Sequence, residues 1–82
     1  MPIEDLIARI DLRIAYLNAH TNDLPSAYLT EFNRLKGVYA GIDDNVPADE
    51  YRDKLNEVND GIGQIIEDVF GGLTLQQVDA GN

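Results

Sequence analysis

Apolar residues near the start of the chain recur at alternating steps of four and three: Ile3, Ile7, Ile10, Ile14 and Leu17. That spacing stacks side chains in one stripe of an α-helix, and it predicts a helix over residues 2–19. Pro2 suits the first helical turn, and Glu4 and Asp5 sit where the helix dipole favours negative charge. The same rhythm returns in Tyr28, Phe32, Leu35, Tyr39 and Ile42, predicting a second helix over 25–40. It returns again in Tyr51, Leu55, Val58, Ile62, Ile65 and Val69, predicting a third over 47–70. Pro25 and Pro47 mark these starts by the same device as Pro2. The connecting stretches around Thr21–Asp23 and Gly41–Asn45 are rich in turn formers, and Gly71-Gly72 supplies a C-terminal stop.

The expected fold is therefore all-α: an antiparallel three-helix bundle forming one helical domain over residues 1–72. Residues 73–82 remain as a C-terminal tail or docking arm. Leu73, Leu75 and Val78 are its larger aliphatic residues, and so short a segment either frays or docks on a neighbouring subunit. Gly61 and Gly63 lie inside the third helix, where each costs about 1 kcal/mol relative to alanine. Close approach of a neighbouring helix is the favoured reason, with a local bend as the alternative.

The first helix has a second apolar row, Ala8, Leu12, Ala15, Tyr16 and Ala19, across the axis from the first. A helix apolar on both sides is enclosed in a larger core or shared between subunits. A chain of 82 residues supplies little core for that. Self-association through this row, giving a homo-oligomer, is the expectation.

Composition narrows the picture. Without cysteine there are neither disulfides nor thiolate metal sites, which points to a reducing compartment. Acids occupy the N-terminal positions where a signal peptide carries bases, and no apolar run reaches membrane-spanning length. A cytoplasmic protein with no membrane partner is expected. Six basic residues against fifteen acidic ones give a net charge of −9, which argues against direct nucleic acid binding, because phosphate contacts draw on Lys and Arg. The imbalance is local. Residues 1–40 hold four basic and five acidic groups, whereas 41–82 hold two and ten.

Catalytic chemistry finds little material. His20 is the one histidine and Ser26 the one serine, so a nucleophile and its base would have to come from these two residues. Both sit at predicted helix ends, where backbone capping and dipole roles account for them. A non-enzymatic protein with no cofactor and no metal is expected. Aligned as a calcium loop from Asp43, the chain places Pro47 at a ligand position, Ala48 where glycine is required and Lys54 at the final carboxylate, which excludes that motif.

A sharper feature runs along the third helix. Asp53, Asp60 and Glu67 recur every seven residues opposite its apolar stripe, flanked by Asp49 and Glu57. They form an acidic ridge. Its functional reading is a contact surface for another protein with a basic surface, as in a small inhibitor or adaptor of the phage or plasmid accessory type that blocks a host macromolecule. Two alternatives stand beside it. Arg9, Arg13, Arg34 and Lys36, brought together in an oligomer, would hold an anionic small molecule such as a nucleotide. A structural subunit of a larger assembly would rely on the arm instead.

Overall fold

A computed structural model of the chain describes residues 1–81 and is all-helical over its regular segments. Helix α1 spans Ile3–Ala19, α2 Ser26–Ala40, α3 Ala48–Phe70 and α4 Gly72–Asp79, with a single 3-10 turn at Thr21–Asp23 between α1 and α2. No helix among the described residues is long and apolar enough to cross a membrane.

Each of the first three helices opens on proline. Pro2, Pro25 and Pro47 have φ of −57°, −55° and −54° with extended ψ, the geometry of a residue just outside a helix. Their carbonyls accept the first helical hydrogen bonds, from Leu6 N–H at 3.1 Å, Leu29 N–H at 2.9 Å and Tyr51 N–H at 3.0 Å. Proline loses nothing there, since a helix leaves its first N–H groups without intrahelical partners. One glycine serves two helices at the other end. Gly71, at φ +103°, donates to the carbonyls of Ile66 and Glu67 and so ends α3, while its own carbonyl accepts from Leu75 and starts α4. A side chain at that φ is strained, which reserves the corner for glycine.

Helix α3 is the axis of the molecule: α1, α2 and α4 all lie against it, and α4 also lies against α1. Its buried stripe, Leu55, Val58, Ile62, Ile65 and Ile66, meets Leu6, Ile10 and Leu17 of α1, Phe32 and Leu35 of α2, and Val78 of α4 in a single apolar core. Leu24, ahead of α2, is buried as well. The deepest stripe of α1 is Leu6, Ile10, Arg13 and Leu17, rotated from the expected row. Ile3, Ile7 and Ile14 flank it half-buried.

The C-terminal segment carries a fourth helix. Residues Gly72–Asp79 form a helix on their own chain, with Val78 buried and Leu75 packed at the edge of the core. Eight residues make no stable helix alone, so this docking is what orders α4.

The glycines of α3 mark close approaches. A Cβ on Gly61 would lie 2.8 Å from Leu35 Cδ1, and one on Gly63 would strike the Arg13 guanidinium. Alanine at either position would hold α2 or the Arg13 side chain away from α3. The Cα atoms extend 36 × 25 × 16 Å, and the shortest dimension is about two helices deep. Such a slab leaves outer helix faces uncovered.

Candidate functional site

Arg13 sits at the centre of the polar chemistry. It is 7% exposed because α1 turns it inward, between Ile10 and Leu17, onto the gap left by Gly63. Its Nε and Nη2 each donate to the Asp79 carboxylate at 2.8 Å, and its Nη1 donates to the Asn59 carbonyl at 2.7 Å. A two-pronged guanidinium–carboxylate pair is among the stronger charge-assisted arrangements. It ties α1 to α4 across 66 residues of sequence. Arg9 approaches the same carboxylate at 3.9 Å. The Arg13 hydrogen bonds, aided by the charges of Arg13 and Arg9 and opposed by partial burial, hold the Asp79 carboxyl below the usual carboxylate range. Beside this pair, the buried Asn59 Oδ1 has no hydrogen-bond partner.

The remaining candidate bases lie elsewhere. Arg34 pairs with Glu31 one turn away at 2.6 Å on the exposed surface of α2. Lys36 donates to Asn18 Oδ1 at 3.2 Å and lies 4.4 Å from the centre of the Phe32 ring. Arg9 and Arg13 therefore converge with each other, on a carboxylate of the same chain, while Arg34 and Lys36 hold separate positions with partners of their own.

Every member of the acidic ridge is exposed: Asp49, Asp53, Glu57, Asp60 and Glu67 line the outer side of α3. The geometry follows from helical periodicity, which puts these positions opposite Leu55, Val58, Ile62 and Ile65. Among the described residues none of the five forms an ion pair. Lys54, also on α3, is exposed and likewise without one among the described residues.

Between the ridge and α2 runs an open groove of about 390 Å³. Leu35, Gly61 and Ile65 form its floor, and Tyr28, Glu31, Arg34, Glu57 and Gln64 its rim, with Ala27 at the edge. Asp68 ties two rim residues together, accepting from Tyr28 Oη at 3.2 Å and from Gln64 Nε2 at 2.7 Å. The Asp68 charge raises the Tyr28 phenol above its ordinary pKa. Glu57 belongs to both surfaces. It is the point where charged ridge and apolar groove meet.

On α1, Ala8, Ala15 and Ala19 are exposed and Leu12 is 40% exposed. Tyr16 has turned toward the chain's own fold. Its ring stacks on His20 with centres 4.1 Å apart and meets Phe70 edge-on at 5.2 Å. His20 Nδ1 lies 2.8 Å from the Tyr16 carbonyl, an oxygen that only accepts, so Nδ1 carries the proton. His20 thus closes the last turn of α1. At the far side of the bundle Tyr39 donates to Asp11 at 2.8 Å, joining α2 to α1. Burial, followed by the hydrogen bond to Asp11, pushes the Tyr39 phenol up to about 12.

Sequence reading missed the Arg13–Asp79 pair and the groove. A signal for the first was present: Leu6, Ile10, Arg13 and Leu17 keep the four-three-four rhythm, with a charge at one step, and Gly63 offered the space. The groove had no comparable signal, because it depends on how α2 and α3 sit side by side. Comparison with known proteins finds no family model, no curated protein and no solved structure that matches this chain.

Proposed function

We propose that this is a non-enzymatic, acidic protein-interaction module. Its α1, α2 and α3 act as an antiparallel three-helix core, it self-associates through α1, and it blocks or bridges a basic partner protein through α3. The observation that carries the reading is the state of the ridge. Five carboxylates stand exposed on one side of a helix whose other side is anchored in the core, and among the described residues no cation of the chain is paired with them. Mixed charges are the usual make-up of a soluble surface; this side of α3 concentrates one sign and raises the local attraction for a cationic surface.

Self-association rests on the outer row of α1. Ala8, Leu12, Ala15 and Ala19 are exposed together, and small residues around one leucine let two helices approach closely. Tyr16 contributes its ring edge only, since its stacking on His20 and Phe70 fixes the rest.

Reversing Asp53, Asp60 and Glu67 to lysine tests the ridge. In affinity capture from an extract of the source cells, the wild-type chain is expected to retain a partner that the triple variant loses, with circular dichroism unchanged. Recovery of the same partner in the same amount by both chains removes the ridge from consideration.

A further inference from the structure

We propose that the groove between α2 and α3 seats a basic amphipathic helical segment of another protein, an apolar side chain of which enters over Gly61 while its Lys and Arg residues lie against the ridge. The inference rests on the reading of the ridge as a partner surface, and it adds the apolar anchor that a charged ridge lacks.

Three observations select that occupant. The floor is apolar, made of Leu35, Ile65 and Gly61, where the absence of a side chain lets Leu35 settle against the α3 backbone and α2 close on α3 beneath the groove. The rim is polar but shallow. Glu57, Gln64 and Arg34 are exposed and Glu31 is half-exposed, so no deeply buried polar group is present to orient a small molecule, which the usual ligand pocket requires. A segment held along its length has no such need, and a groove between two packed helices accepts a third helix by the same ridge-and-groove geometry.

Charge settles the sign of the partner. Arg34 is neutralised by Glu31 at 2.6 Å, leaving Glu57 on the rim, Asp68 bound to Tyr28 and Gln64 at one end, and Asp60 beside Gly61 on the ridge side. The surroundings are net negative. A second copy of the chain offers no cluster of free bases to the groove, since Arg9, Arg13 and Arg34 are paired with its own carboxylates and Lys36 donates to Asn18. A basic segment is complementary to it.

The experiment uses two probes of equal positive charge, an 18-residue amphipathic helix of leucine and lysine and an oligolysine. Binding is measured by fluorescence anisotropy and mapped on the isotope-labelled protein by NMR. The leucine–lysine helix is expected to bind at least about tenfold more tightly than oligolysine, the gain from burying one aliphatic side chain, and to shift resonances at Ala27, Gly61 and Ile65. Ala27→Phe fills the groove from an exposed position without changing charge. It is expected to remove that tenfold advantage and leave oligolysine binding as it was. Equal affinity for the two probes, or shifts confined to the outer row of α1, overturns the groove while leaving the ridge standing. If the lysine reversal of Asp53, Asp60 and Glu67 weakens neither probe, the ridge reading fails and takes the groove with it.

Discussion

Removing the Asp79 carboxylate tests whether α4 is held by its charge pair or only by Val78. In Asp79→Ala the Arg13 guanidinium, 7% exposed, keeps a single partner within hydrogen-bond distance, the Asn59 carbonyl. Stripping one member from a fully buried pair costs about 3–5 kcal/mol. The Asp79 side chain is 20% exposed, so water relieves part of the loss, and about 2–3 kcal/mol is expected. A domain of this size is stable by about 4–12 kcal/mol in all, and the variant should melt roughly 10–20 °C below the wild type. Arg13→Met retains the apolar stem and frees a carboxylate that is already partly hydrated, for about 1–2 kcal/mol. Urea unfolding of both single variants and the double variant, at one protein concentration, closes the cycle. The double variant should be less destabilised than the sum of the singles by about 1–2 kcal/mol. Additivity within about 0.5 kcal/mol refutes the reasoning, because independent side chains do not couple. The pair also has a pH signature. Its folded-state pKa lies below the ordinary carboxylate range, so its contribution is present above about pH 4 and disappears as pH falls through that lowered value. The stability gap between wild type and Asp79→Asn should accordingly narrow in acid.

Two further outcomes can be checked directly. Leu12→Asp places a charge in the middle of the outer row of α1 and should convert an oligomer to a monomer in light scattering; a wild-type chain that is already monomeric at micromolar concentration removes that interface. Tyr39, with its phenol pushed up to about 12, should be the last of the four tyrosines to ionise in an ultraviolet titration. Its contribution to stability is full below about pH 10 and falls as pH rises toward 12, and Tyr39→Phe should abolish the most alkaline step.

The long helices were legible because their signals are local. Proline at each start, glycine at Gly71 and a four-three rhythm between them place α1, α2 and α3 within one residue of the expected 2–19, 25–40 and 47–70. The ridge was legible for the same reason, since Asp53, Asp60 and Glu67 need only helical periodicity to share a side. Helix α4 was not. Leu75 and Val78 keep a helical step of three but are a single pair, too few to signal a helix, and its order comes from contacts with α1 and α3 that sequence proximity does not reveal. Arg13 was read as a surface base for an anionic ligand because a guanidinium is ordinarily solvated; its burial depends on an acid 66 positions later. The two glycines of α3 gave the right physical hint, close approach, while leaving open which groups approached: Leu35 in one case and Arg13 in the other.

The distance in sequence between Arg13 and Asp79 also makes the pair a clasp on the chain as a whole. Its two residues enclose α2 and α3 between them, so any change that detaches α4 leaves an unanswered positive charge at the seam where α1 meets α3. Loss of the final turn of α4 is therefore felt inside the molecule and not only at its edge, because it takes the counter-ion from a guanidinium that is 7% exposed.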